Sequence, residues 1–160
     1  MGKIKIGIVV LVFGLMGFQK SDFVRGTSEK VQKTIVSDTL TWKKLGQIKF
    51  IKKQHKDYGS IDFPLISPEI KKYHNKRIFM SGFIVPIDNV NYALSKNVFA
   101  SCFFCGKAGP ETIMGIKFKA GKLKLRTDQY VTLEGVMKVN ENDPDNWMYN
   151  IEEAVIVKGN

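Results

Sequence analysis

Two long runs constrain this chain more than any other feature. Lys76-Arg77-Ile78-Phe79-Met80-Ser81-Gly82-Phe83-Ile84-Val85-Pro86-Ile87 and Tyr130-Val131-Thr132-Leu133-Glu134-Gly135-Val136-Met137-Lys138-Val139 are rich in β-branched and aromatic residues. Such residues favour extended backbone. Each run has a glycine near its middle, where a glycine marks a bulge or a sharp bend. Pro86 marks an edge position or an exit from the sheet. Shorter strands are predicted at 48–54, 92–100, 112–118 and 148–157. Residues 57–68 read as a loop, punctuated by Gly59, Ser60, Pro64 and Pro68, with Phe63, Leu65 and Ile66 tucked beneath it. Ser67-Pro68-Glu69 starts a short helix that runs to about His74, with Ser67 as its N-cap. Trp42 and Leu45 fit a helical turn or the start of a strand, and read as core anchors. The expected fold is mainly β. It is a small closed or partly open barrel of five to six strands, of the oligonucleotide/oligosaccharide-binding kind, with one short helix.

The first residues carry a different signal. Lys3 and Lys5 precede an uncharged run of 13 residues, Ile6 to Phe18. That is too short for a spanning helix, which needs about 20 apolar residues, but it suits the core of a signal peptide. Gly17-Phe18-Gln19 lacks a small-x-small cleavage pattern, so an uncleaved N-terminal anchor is the alternative. The expected organisation is therefore a signal peptide or anchor at 1–19, a polar linker at 20–40 and a β-barrel domain at 41–160. Export to the periplasm or cell envelope follows from it. The formal net charge of +10 loses only the two leading lysines on cleavage. The mature part stays basic, which suits anionic surfaces or an acidic envelope partner. In an exported protein, nucleic acid is not the expected partner. An envelope complex or a transporter is, and the domain lies close to the membrane if the signal stays uncleaved.

Both cysteines lie in Ser101-Cys102-Phe103-Phe104-Cys105-Gly106-Lys107-Ala108-Gly109-Pro110-Glu111. Covalent c-type haem requires His after the second cysteine, and Gly106 stands there instead. A thioredoxin-like pair requires a helix N-terminus to lower one thiol's pKa, whereas strand-like residues follow here. A disulfide between Cys102 and Cys105 closes so short a loop that its entropic contribution is small. A metal knuckle is the fourth possibility. Two thiolates alone suit monovalent copper. Zinc requires four ligands, which Glu111, His55, His74, solvent or a partner would complete. His55 follows a lysine-rich run and reads as solvent-facing. Phe103 and Phe104 form a candidate hydrophobic wedge for a partner. Asn140-Glu141-Asn142-Asp143-Pro144-Asp145-Asn146 is rich in oxygen ligands, but it lacks the glycine and the terminal glutamate of a calcium loop. It reads as a solvated turn.

Trp42-x-x-Leu45, Gly82-Phe83-Ile84-Val85-Pro86-Ile87 and the Ser101-to-Thr112 loop together resemble a family of small exported bacterial proteins with a domain of unknown function. The likeness is to the Bacteroidetes-type branch. Other members have a single cysteine and a proline-rich loop where this chain has Cys-x-x-Cys. The resemblance implies a compact barrel and a link to envelope transport or metal handling. The functional expectation is a non-enzymatic transition-metal-binding or transport-accessory module. A thiol-disulfide redox protein and a basic binding module for an envelope complex are the alternatives.

Overall fold

The computed structural model describes residues 38–99, 108–121 and 123–159. The expected signal segment, most of the linker and the cysteines lie outside them. The elements follow in the order β1 (Asp38–Thr39), α1 (Trp42–Leu45), β2 (Lys49–His55), β3 (Gly59–Leu65), α2 (Pro68–Lys71), β4 (Arg77–Pro86), β5 (Tyr92–Ser95), a 3-10 turn (Pro110–Thr112), β6 (Ile113–Phe118), β7 (Tyr130–Val139) and β8 (Tyr149–Gly159).

Five of these strands close a barrel in the order β4-β5-β6-β8-β7, with β7 pairing back to β4. Every pairing in the ring is antiparallel except β6 with β8. β5 covers only the second half of β4, from Phe83 to Pro86. The first half is covered by β1, parallel to Ile78 and Phe79. Thus Asp38 and Thr39, at the end of the expected linker, are part of the sheet, and Leu40 beside them is buried.

Strand alternation explains the core. Ile78, Met80 and Ile84 of β4 point inward, as do Val131, Leu133 and Met137 of β7. Gly82 and Gly135 occupy inward positions of the same two series. A Cβ on Gly82 would lie 2.5 Å from the Ser95 carbonyl oxygen and 2.9 Å from Leu94 Cγ. A Cβ on Gly135 would lie 2.6 Å from Ile151 Cγ1 and 2.7 Å from the Glu152 carbonyl oxygen. At Gly82 the register with β7 is unbroken, so this glycine serves a close approach of β5 and not a bulge. At Gly135 the register with β8 does shift, between Glu134 and Val136, and the expected bulge is there.

α1 lies against the barrel core. Thr41 caps it, Leu45 is fully buried, and the Trp42 indole N–H donates to the Ser81 carbonyl at 2.8 Å. α2 has Ser67 as N-cap, as expected, but ends at Lys71, short of His74.

Three expectations need correction. Residues 59–65 form a strand rather than a loop. Gly59, at φ +69°, turns the chain, and β3 returns antiparallel along β2. Pro64 is tolerated there because this two-stranded sheet has free outer edges. Within the segment Phe63 and Ile66 are buried, but Leu65 is exposed. The strand expected over 92–100 stops at Ser95, whose hydroxyl accepts from Asn97 N–H as the chain turns away. The expected single helix is instead two four-residue turns and a 3-10 turn. Among the described residues, no helix is long and apolar enough to cross a membrane.

Gly82→Ala should destabilise the fold by about 1–3 kcal/mol through overpacking against β5. Urea unfolding should show a lower midpoint with an unchanged slope.

Candidate functional site

The barrel carries a cleft of about 490 Å³ on one side. Its floor is Gly115, Ile116 and Lys117 of β6, with Asn150 and Glu152 of β8 beside them. One wall is the β4–β5 loop, through Ile87 and Asn91, and the other is the β7–β8 loop, through Asn140, Asp143 and Trp147.

Gly115 creates the space. A Cβ there would collide with Trp147 Cδ1 and Asn150 Oδ1, so a side chain at this position and the indole exclude each other. Trp147 is partly buried against the strand and also borders a second slot, of about 260 Å³, towards β2 and β3.

Both walls are held by their own short side chains. Asp88 accepts from the Asn91 side chain and from the backbone N–H groups of Val90 and Asn91, each at 2.7 Å. Those bonds, the Asn91 amide foremost, keep its carboxyl below the usual carboxylate range. On the other wall Asn140 Oδ1 accepts from Asn142 and Asp143 N–H, while its Nδ2 donates to the Asp143 carbonyl at 2.6 Å. Asp143 accepts from Asp145 N–H at 3.0 Å and from Asn146 Nδ2 at 2.5 Å. The side-chain oxygens of Asn140 and Asp143, which helped give this loop its likeness to a calcium loop, are thus engaged by the loop's own N–H groups. The hairpin reinforces this wall, since Tyr58 Oη donates to Asp145 and Glu141 accepts from Ile66 N–H.

The cleft's charge differs from that of the chain. Its lining holds one cation, Lys117, and two carboxylates, Asp143 and Glu152, together with four asparagines. Lys117 and Glu152 pair at 3.3 Å. A protein of net charge +10 therefore presents a cleft that is not basic.

The residues expected to carry a site are placed as follows. Cys102, Cys105, Phe103 and Phe104 lie outside the described residues. Glu111 sits in the 3-10 turn that follows their loop, and its carboxylate folds back on the loop's stem. Its Oε1 lies 2.7 Å from where a Cβ on Gly109 would be, and its Cγ packs near Gly46. His74 Nδ1 accepts from Val139 N–H at 3.0 Å, which ties the turn before β4 to the end of β7. His55 stacks on Tyr58 with ring centroids 5.0 Å apart. Among the described residues, no three His, Cys, Asp or Glu side chains are grouped to hold a metal. Sequence reasoning missed Asn91, Gly115, Trp147 and Asn150. The available signal was a third mid-strand glycine and a tryptophan set among asparagines.

Tyr149 links this region to the core. Its buried hydroxyl donates to the Leu45 carbonyl at 3.2 Å. Burial first, and then the nearby Glu111 charge, push its pKa well above the ordinary 10.0. A raised folded pKa contributes stability that is complete below the unfolded value and is lost as pH rises towards the folded one. Above about pH 10, wild-type stability should therefore fall more steeply than that of Tyr149→Phe, by up to about 1.4 kcal/mol per pH unit. Urea unfolding across that window measures the difference.

No protein-family model matches the chain, and no curated protein matches it. Among solved structures it is similar to a DUF3299 family protein from Pseudomonas aeruginosa PAO1, with a TM-score of 0.50 and 14% identity. The match covers 77% of this chain and 94% of that one. At this identity the likeness establishes the barrel fold and nothing about activity.

Proposed function

We propose that this protein is an exported, non-enzymatic binding module that takes an uncharged, hydroxyl-rich ligand, such as a saccharide segment, in the cleft beside Trp147. The observation that carries this is the lining of the 490 Å³ cleft. It combines an indole, planar side-chain amides and a compensated Lys117–Glu152 pair, within walls fixed by internal hydrogen bonds. Amide oxygens accept from hydroxyls, and an aromatic surface with a few placed polar groups is how small-ligand sites gain orientation. A polyanion is disfavoured there because the lining has more carboxylates than cations. The barrel type supports the placement, since this fold binds with the loops after its first and fourth strands and with its third strand, which here are the β4–β5 loop, the β7–β8 loop and β6.

Titration with neutral chito-, malto- and cello-oligosaccharides, followed by tryptophan fluorescence and calorimetry, tests the proposal. At least one series should bind, and Trp147→Ala should weaken it by about tenfold or more while thermal unfolding remains cooperative. Binding of none of the three, or of a single-stranded oligonucleotide in their place, contradicts it.

A transition-metal site at Cys102 and Cys105 is the second proposal, favoured by one observation. The Glu111 carboxylate is turned towards the stem of their loop and has no cation paired with it among the described residues. It would supply a third ligand to zinc, or stand aside for copper held by two thiolates. His74 is the weaker candidate, because Val139 already occupies its Nδ1. Elemental analysis of the purified chain should find zinc or copper in stoichiometric amount, lost in Cys102→Ser/Cys105→Ser. A metal-free reduced protein that fails to take up either ion excludes the site. The redox alternative requires the same pair to cycle between dithiol and disulfide. The envelope-complex alternative requires neither.

A further inference from the structure

The slot of about 260 Å³ between the β2–β3 hairpin and the β7–β8 loop has a chemistry unlike that of the cleft. Phe50 and Phe63 of the hairpin and Trp147 of the loop bring three aromatic rings to it. Asp62, Glu141 and Asp143 bring three carboxylates, and its lining contains no lysine, arginine or histidine. On a chain of net charge +10 that is a local reversal of sign.

Two of the carboxylates have lysine partners, neither of which belongs to the lining. Lys52 meets Asp62 at 3.4 Å in a largely exposed pair, which solvent screens. Lys71 meets Glu141 at 2.8 Å. Asp143 has no cation paired with it among the described residues. Its oxygens accept instead from Asp145 N–H and from the Asn146 amide. A hard metal ion needs direct oxygen ligands, and among the described residues no three His, Cys, Asp or Glu side chains are grouped to hold one. The negative charge remains, and a cation that brings no N–H donor can use it. A quaternary ammonium group is such a cation, and aromatic faces attract it. The chain already uses one of these rings in that way, since the Lys53 ammonium lies 5.2 Å from the Phe63 ring centroid. Phe50, 40% exposed, and Trp147 are left for a ligand.

We propose that this slot binds the quaternary ammonium head group of a small organic cation. Charge complementarity and the three rings together name the occupant. A neutral apolar group would meet the rings but gain nothing from the carboxylates, and an anion would be repelled by them. Drug-sized pockets begin at about 300 Å³, so the slot has room for a head group and not for a large ligand. The proposal is independent of what the cleft takes. Trp147 borders both recesses, but Phe50 lines the slot and not the cleft, and Ile87 lines the cleft and not the slot.

Calorimetric titration of the full chain with choline at low ionic strength tests this. The comparison ligand is the uncharged carbon isostere of choline, in which a tert-butyl group replaces trimethylammonium. Choline should bind saturably at millimolar concentration or below, and the isostere about tenfold more weakly. Phe50→Ala should weaken choline binding about fivefold or more, whereas Ile87→Ala should leave it unchanged. The comparison of the two ligands uses the wild-type chain, so it stands whether or not a variant folds. Absence of saturable choline binding, equal binding of the isostere, full retention in Phe50→Ala or an equal loss in Ile87→Ala overturns the proposal. Saccharide binding without choline binding also overturns it, and leaves the reading of the cleft intact.

Discussion

Backbone crosses backbone at Gly82 and at Gly135 with no room for a side chain, and the rest of the structure depends on those two approaches. β5 passes over β4 where Gly82 leaves 2.5 Å between a Cβ position and the Ser95 carbonyl. β8 passes over β7 at Gly135 in the same way. Both glycines sit on the inward face among Ile78, Met80, Leu133 and Met137, where any other residue would fill the core and hold the strands apart. Their absence of side chain lets two long strands bend enough to meet, and the meeting of β4 with β7 removes the sheet's open edges.

Closure then determines what the surface offers. Because β6 runs parallel to β8, Gly115 lies beside Asn150, and the empty side-chain position receives the Trp147 indole. The same device that closes the barrel inside thus builds a ligand-sized recess outside. Around it the asparagines do two jobs. Asn140 and the Asp88–Asn91 pair fix loop conformation, and Asn150 both holds the Trp147 carbonyl through its amide N–H and lines the recess. Asn146 donates to the Asp143 carboxylate, which helps hold the loop's shape. The helices α1 and α2 complete the domain, adding Leu45 and Ile70 to the core of the five strands.

The two long strands and their central glycines were legible in the chain, because alternation and β-branching act locally. So were the Ser67 cap, the Trp42 and Leu45 anchors and the barrel class. The strand at 59–65 was not. Its glycine and proline are loop formers by local preference, and only pairing with β2 makes Gly59 a turn and Pro64 an edge residue. The length of β5 also depended on a distant partner, since Phe99 N–H leaves the sheet to bond Asp128. The cleft was illegible for a related reason. Gly115 and Trp147 are 32 positions apart, and nothing local says that one vacates space for the other. Glu111 and His74 were singled out by residue type. One lies folded back beside Gly109 and the other is engaged in a backbone hydrogen bond.

The central claim is that the recess over Gly115 is where this protein meets its ligand. The most direct measurement is the backbone amide spectrum of the labelled protein during titration with the tightest-binding neutral oligosaccharide. Shifts should concentrate at Ile87 to Tyr92, Gly115 to Lys117 and Asn140 to Asn150, with the β2–β3 hairpin unmoved. Shifts confined to the hairpin or to the far side of the barrel, with Gly115 and Trp147 unchanged at saturation, would contradict it.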